Sequence, residues 1–126
     1  MAELSRFKST GGLVRIARAA TYSWRGVSAA FLNEAAFRQE LLVGIPLIGV
    51  AIGLGKPLPQ SALLIVSILA VLVVELLNSA IEAIADAVSV EHNELLGRAK
   101  DMGSAAVLFS IVIAVIIWIS VLWPAR

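Results

Sequence analysis

The chain contains no cysteine, a single histidine and few charged residues. Of its 126 residues, 15% are charged and 60% are hydrophobic, whereas an ordinary soluble domain is about 25% charged and about 45–50% apolar. The lack of cysteine excludes disulfides, thiolate metal sites and thiol nucleophiles in this chain. The formal net charge of +1 indicates little about partners, and the length favours a single domain, 1–126. The composition is typical of an integral membrane protein.

Three apolar segments predict an all-α integral membrane protein, because a membrane-spanning helix needs about 20 mostly apolar residues. The third meets that length unaided, the second does so by continuing into a polar motif, and the first needs a partly interfacial start. The turn GKPLPQ, 55–60, separates the first two, since its prolines prevent the helix from continuing. The predicted transmembrane helices are 37–55, 62–86 and 102–123.

The N-terminal region, about 1–36, predicts an amphipathic helix that lies on the membrane surface. Apolar residues recur there at spacings of three and four, and basic residues form another face. Positively charged residues are also concentrated before the first span and between the second and third. In contrast, only Lys56 lies between the first and second spans, and only Arg126 follows the third. The positive-inside rule therefore predicts a cytoplasmic N-terminus and an external 55–60 turn.

The end of the second apolar segment, VELLNSAIEAIAD (74–86), carries three acids and an asparagine. On a helix these four side chains occupy one stripe about 80° wide, defined here as the polar stripe: Glu75, Asn78, Glu82 and Asp86. Hydrogen bonds between helices would account for an asparagine. Several acids fit that interpretation poorly, because they repel one another unless protonated or bound to cations. The stripe therefore indicates a cation or proton site.

Ion transport, proton relay and metal-assisted transfer could all use such a stripe. The first and third spans carry no ionisable residue in their apolar parts, so a path across the whole bilayer is missing. The polar residues concentrate at the cytoplasmic side, which favours an enzyme with a soluble phosphate donor and a lipid acceptor. Mg²⁺ prefers carboxylate and phosphate oxygens, and Glu34 and Glu82 are the best candidates for its ligands.

The position of each polar residue predicts its task in phosphoryl transfer. Glu75, the deepest, would accept a proton from the lipid hydroxyl, and Asn78 would orient it. Asp86, the nearest to water, is expected to be solvated or helix-terminal. The candidates to neutralise the negative charge of the phosphates are Arg15, His92 and Lys100.

Three stretches give the chain a specific resemblance: ARAATYSWRGVSAAFLNEAAFRQE (17–40), VELLNSAIEAIAD (74–86) and HNELLGRAKDMGSAAV (92–107). They closely resemble the bacterial integral-membrane diacylglycerol kinases over nearly the whole chain. The resemblance implies a homotrimer in the bacterial inner membrane, each protomer having a surface helix and three transmembrane helices. It implies transfer of the ATP γ-phosphate to diacylglycerol with Mg²⁺ as cofactor. It implies ATP, diacylglycerol and membrane lipid as partners and no nucleic acid.

The resemblance also assigns roles to individual residues. Glu75 matches the catalytic base, with Asn78 beside it, and Glu34 and Glu82 match metal ligands. The residues that match the nucleotide site are Arg15, Tyr22, Glu34, Glu82, Glu91, His92, Asn93, Lys100 and Asp101. Those that match the lipid site are Arg15, Ala20, Ser23, Trp24, Gln39, Glu75, Ser104 and Trp118.

Two alternatives stay open at this point. Undecaprenol kinases share the E-x-x-N-[ST]-x-x-E helix but accept a polyprenol, although the long NEAAFRQE segment (33–40) favours diacylglycerol. A small cation or proton carrier could use the same stripe without consuming ATP.

Overall fold

The computed structural model describes residues 11–125, and they form helices joined by short connections. The helices are α1 (Gly12–Asn33), α2 (Ala35–Gly53), α3 (Leu58–Val88) and α4 (Glu94–Leu122). No strand occurs among these residues. The last three helices are long and apolar enough to cross a membrane. The predicted fold class, all-α with three membrane-spanning helices and one preceding helix, is thereby confirmed.

Glu34 separates α1 from α2. Its backbone is extended (φ −111°, ψ 111°), although its N–H still donates to Ala30 at the end of α1. Arg38 reaches back across the break, and its Nη1 donates to the carbonyl oxygens of Phe31 and Leu32 at 2.8 and 3.2 Å. A guanidinium is favourable there because the last carbonyls of a helix carry partial negative charge. The break therefore places Glu34 at the corner where α1 meets the first span.

The connection between α2 and α3 is shorter than the 55–60 turn that the sequence predicts. Gly55 adopts a left-handed backbone, φ 61°, which glycine does at no steric cost. α3 then begins at Leu58, so Pro59 lies in its first turn. Proline is tolerated there because the first N–H groups of a helix have no partner within the helix.

α4 begins at Glu94, well before the predicted start at 102. The Asn93 side chain explains this start, since its Oδ1 accepts from the N–H groups of Leu95 and Leu96 at 3.0 and 3.2 Å. That is the arrangement of a helix N-cap. The connection from α3 is therefore short, and the polar segment 98–101 lies on a helix and not in a loop.

α3 is the central helix. It makes its most extensive contacts with α4, followed by those with α2. α2 approaches closely at Gly44, where an added Cβ would lie 2.8 Å from Ile68 Cγ2. α1 is attached mainly near its end, where Ala30 is its buried residue, and it leaves large apolar side chains such as Trp24 exposed. The bundle thus covers the first half of the polar stripe of α3, Glu75 and Asn78.

Candidate functional site

The polar stripe becomes more exposed toward the end of α3. Glu75 is 3% exposed and Asn78 is 8% exposed, whereas Glu82 is half-buried and Asp86 is exposed. Successive members are three or four residues apart, so they share one face of the helix. A buried carboxylate is costly unless it is paired or neutral. Glu75 is therefore the member of the stripe for which a purely structural role is hardest to justify.

α4 covers the buried half of the stripe at Gly103. A Cβ on Gly103 would collide with Oδ1 of Asn78, so the absence of a side chain lets the two helices meet there. The same Oδ1 is buried and accepts no hydrogen bond. The neighbouring Ser79 Oγ is also buried and makes no hydrogen bond. Buried polar atoms without partners are rare, and a catalytic role is one of the explanations for them. The amide of Asn78 therefore has unused hydrogen-bonding capacity next to Glu75.

Three further acids lie within electrostatic range of Glu75. The carboxylates of Glu40 and Glu75 lie within electrostatic range of each other. Glu34, from the α1–α2 corner, and Glu82, two turns along α3, also act on Glu75 electrostatically. The fold thus brings acids from the α1–α2 corner, from α2 and from α3 to one region, although 34 and 82 are far apart in sequence.

This acidic region is compatible with a divalent cation but does not supply a complete set of protein ligands for one. Within residues 11–125, no group of three or more acidic or histidine side chains is close enough to form a metal cage. Mg²⁺ commonly uses only one or two protein carboxylates and takes its other ligands from water and substrate phosphates. Glu34 and Glu82 supply the donor type that such an ion requires.

One cation reaches the exposed end of the stripe. Lys100 Nζ, on the second turn of α4, lies 2.6 Å from Asp86 Oδ1. Lys100 also acts electrostatically on Glu82, one turn further into α3. The sequence predicts Asp86 as solvated or helix-terminal, and it is exposed and lies in the last turn of α3; the structure also gives it a specific partner from the next helix.

An apolar cavity of about 610 Å³ lies between α2, α3 and α4. Gln39 and Glu40 line the end near the start of α2, and Trp118 lines the other, where its indole N–H donates to Ser67 Oγ at 3.0 Å. Oε2 of Glu40 is buried without a hydrogen-bond partner. Leu72, about one turn before Glu75, is also part of the wall. The cavity therefore combines a long apolar body with a polar end close to Glu75.

A second cavity, of about 540 Å³, lies between α1 and α3. Ser23 and Asn33 of α1, Glu34, and Ser79 of α3 are its polar lining residues. Its α3 wall is formed by Leu76, Ser79, Ala80 and Ala83, and no member of the polar stripe lines it.

The structure brings together only part of the predicted site. Glu34, Glu75, Asn78, Glu82 and Lys100 converge around α3, and Gln39 and Trp118 line one cavity. Within the part of the chain described, no hydrogen bond or ion pair links the remaining candidates to the stripe; they are exposed residues of α1, the α3–α4 connection or α4: Arg15, Ala20, Tyr22, Ser23, Trp24, Glu91, His92, Asn93, Asp101 and Ser104. Among these, Asn93 has the structural task of capping α4.

Glu40 is the site residue that sequence reasoning did not assign. Its carboxyl group lies at the polar end of the larger cavity and near Glu75. The available signal was an acid placed directly before the apolar run that starts at Leu41. An ionisable residue inside a predicted span is a functional candidate by default, and that rule applies to Glu40, which lies inside the predicted span 37–55 as well as inside α2.

Comparisons with known proteins agree on one family. The family model described as prokaryotic diacylglycerol kinase matches residues 21–122. The chain is 51% identical over 115 residues to a diacylglycerol kinase of Escherichia coli, covering 91% of this chain and 94% of the relative. It is 48% identical over 118 residues to one of Pseudomonas aeruginosa, covering 94% and 96%. One of Haemophilus influenzae is 41% identical over 114 residues, covering 90% and 97%.

Proposed function

Because the chain belongs to the prokaryotic diacylglycerol kinase family, we propose that it phosphorylates diacylglycerol with ATP to give phosphatidic acid. The free hydroxyl oxygen of the lipid bonds to the γ-phosphorus. The bond between that phosphorus and the β–γ bridging oxygen breaks, and ADP leaves with the bonding electron pair. The hydroxyl proton passes to a base on the protein. The burial of Glu75, within electrostatic range of Glu40 at the polar end of the apolar cavity, is the observation that carries this proposal.

The 610 Å³ cavity is suited to the lipid acceptor. Its apolar walls between membrane-spanning helices would accept acyl chain, and its Gln39–Glu40 end would accept the polar glycerol. Small-molecule sites commonly combine an apolar lining with a few such polar groups. Trp118, held by Ser67, forms the opposite end. A lipid seated in this way would present its hydroxyl toward the region of Glu75.

Glu75 is the proposed general base. Its carboxylate oxygen accepts the hydroxyl proton as the phosphorus–oxygen bond forms, a role worth about 10²–10⁴-fold in rate. Asn78 lies about one turn away on the same face of α3, and its amide has hydrogen-bonding capacity left over. It would hold the hydroxyl or the Glu75 carboxylate in the geometry of transfer. Gly103 allows α4 to close over this pair.

Glu34 and Glu82 would hold Mg²⁺ together with the phosphates of ATP. When bound, the ion would offset the phosphate charge and assist departure of ADP. Lys100 adds a positive charge at the exposed end of the stripe. The exposed residues Arg15, Tyr22, Glu91, His92, Asn93 and Asp101 would contact the nucleotide, as the family resemblance implies.

The proposed orientation puts the exposed end of the stripe in the cytoplasm of a bacterial inner membrane. The placement of basic residues supports it, and ATP is available on that side. α1, with its exposed apolar residues and basic face, would lie in the membrane interface. We also propose that the protein forms a homotrimer. In it, α1, with its exposed residues Ala20, Ser23 and Trp24, and the exposed Ser104 of α4 would contact a neighbouring protomer or lipid.

An ATPase-coupled assay of the purified chain in mixed micelles tests the activity. ATP consumption is measured with diacylglycerol, with undecaprenol and with neither lipid, and the phosphorylated lipid is identified by mass spectrometry. Diacylglycerol-dependent ATP use with phosphatidic acid as product is expected. Preference for undecaprenol would instead assign the chain to polyprenol phosphorylation, and a cation or proton carrier would consume ATP in none of the mixtures.

A further inference from the structure

The Lys100–Asp86 contact joins the two helix ends that flank the α3–α4 connection. Asp86 lies in the last turn of α3, and Lys100 lies near the start of α4. Their charged atoms are 2.6 Å apart, which is the short distance of a charge-assisted hydrogen bond. Lys100 also lies within electrostatic range of Glu82. The ammonium group is thus held beside the proposed metal ligand.

We infer that Asp86 is a positioning residue, which fixes the Lys100 ammonium group where the phosphates of ATP arrive. This inference rests on the proposed function, since it assigns a partner to the nucleotide-binding lysine. Asp86 itself does not touch the nucleotide. A lysine ammonium group has three donors, so one donor can remain on Asp86 while two are available to phosphate oxygens.

The exposure of the pair argues against a mainly structural role. The side chains of Lys100 and Asp86 are 41% and 58% exposed, and exposed ion pairs contribute little to stability. The pair can matter more for the ordering of the lysine side chain than for stability. A free lysine samples many rotamers, and binding must restrict them. A partner that restricts them beforehand lowers the cost of binding.

The basic side chain at the α1–α2 corner, Arg38, is not positioned for phosphate in this way. Arg38 donates to Phe31 and Leu32 and so is engaged in ending α1. Within the described residues, Lys100 is the cation that forms an ion pair with the polar stripe. Loss of its orientation should therefore affect nucleotide affinity more than the transfer step.

The test compares Asp86→Asn, Asp86→Glu, Lys100→Met and the Asp86→Asn/Lys100→Met double variant of the full chain in one detergent. Glu94→Gln is the control, because it removes an exposed acid from the first turn of α4. KM for MgATP and kcat are measured, and binding of Mg²⁺ with adenosine 5′-(β,γ-methylene)triphosphate is measured by calorimetry. Thermal unfolding is recorded for every variant.

Asp86→Asn should raise KM and weaken analogue binding by about 3- to 10-fold, the scale expected for ordering one long side chain, with kcat nearly unchanged. Asp86→Glu should restore most of the affinity. The double variant should be no weaker than Lys100→Met alone, because Asp86 acts only through Lys100. Glu94→Gln should match the unmodified chain.

Each of the following results would overturn the inference: affinity unchanged or improved in Asp86→Asn while Lys100→Met weakens it, additive losses in the double variant, or a loss confined to kcat. A lowered unfolding temperature with unchanged affinity would assign Asp86 a structural role and also overturn it. If Lys100→Met leaves analogue binding unaltered while diacylglycerol phosphorylation persists, this inference fails and the proposed function stands. If neither the unmodified chain nor any variant uses ATP, the proposed function itself fails.

Discussion

Gly103 of α4 packs directly against the amide oxygen of Asn78 in α3, with no room for a Cβ between them. The contact lies on the buried half of the polar stripe, beside Glu75. The atom in the way is the end of a short side chain and not backbone, so an added methyl group can be accommodated by turning the Asn78 amide. Such a turn would cost little stability but would move the group that we propose orients the reacting hydroxyl.

Gly103→Ala should therefore lower kcat by about 10- to 100-fold, since small misplacements of catalytic groups have effects of that size. Its unfolding temperature should change little, because alanine's higher helix propensity offsets part of the crowding. Gly49→Ala is the matched control, as a glycine in the span α2 whose added Cβ would meet nothing within 4 Å. Full activity in Gly103→Ala would show that the Asn78 amide orientation is unimportant.

The sequence predicts the spans and the polar stripe because both depend on local periodicity. Glu75, Asn78, Glu82 and Asp86 share a face on any regular helix, and apolar length alone identifies the three spans. The predicted start of α4, 102, is too late for the same reason. Hydropathy detects the apolar part of a helix, whereas the polar first turns project beyond it. Asn93, followed by Glu94, was the capping signal that an earlier start would have required.

The contacts between distant residues are what the sequence cannot specify. Asp86 and Lys100 pair only because the α3–α4 connection is short and the helices cross at Gly103. Glu40 meets the region of Glu75 only because Gly44 admits α2 to α3. No single-helix pattern encodes either approach. The break at Glu34 lacks the usual glycine or proline signal, and it is recognised from its backbone and from the Arg38 cap.

Glu40 should affect lipid use through hydrogen bonding and not through charge. Glu40→Gln retains a polar group at the end of the cavity and should raise KM for diacylglycerol by less than about 3-fold. Glu40→Leu removes it and should raise that KM by about 10-fold, the typical effect of one lost hydrogen bond, with KM for MgATP unchanged. The leucine variant should unfold no more easily, since it removes a buried polar atom without a partner. An equal KM for diacylglycerol in both variants would show that Glu40 is not part of the lipid acceptor site.

Glu34 and Glu82 should set the Mg²⁺ requirement. Glu34→Gln and Glu82→Gln should each raise the Mg²⁺ concentration needed for half-maximal rate and lower the maximal rate, because an amide oxygen binds a hard cation less well than a carboxylate. Mg²⁺ titrations at fixed ATP measure this, with Glu94→Gln as the control for loss of one exposed acid. Unmodified Mg²⁺ curves in both variants would make the two residues structural.

The orientation of the helices can be read from single cysteines, since the chain has none of its own. Lys56→Cys should react with a membrane-impermeant maleimide in intact spheroplasts, because the α2–α3 turn is predicted to lie outside. Glu94→Cys should react only after the membrane is permeabilised. Denatured samples give the full labelling of each variant for comparison. The opposite pattern would invert the topology and remove the nucleotide site from the cytoplasm.

Glu75 provides the most direct test of the mechanism. Glu75→Gln preserves the shape of a side chain that is 3% exposed and removes its ability to accept a proton. Diacylglycerol phosphorylation should fall by about 10²–10⁴-fold, the usual contribution of a general base. The variant should still bind Mg²⁺ and a non-hydrolysable ATP analogue, since the proposed metal ligand Glu82 and the Lys100 cation lie toward the exposed end of the stripe.

The stability of Glu75→Gln distinguishes catalysis from helix packing. Replacing a buried acid that has Glu34, Glu40 and Glu82 within electrostatic range relieves repulsion between like charges, so the unfolding temperature should be unchanged or higher. A polar residue that served to hold the helices together would behave in the opposite way. Near-normal turnover in Glu75→Gln would refute the general base. Unfolding together with lost activity would instead favour a packing role, and analogue binding measured on the same sample decides between the two causes of inactivity.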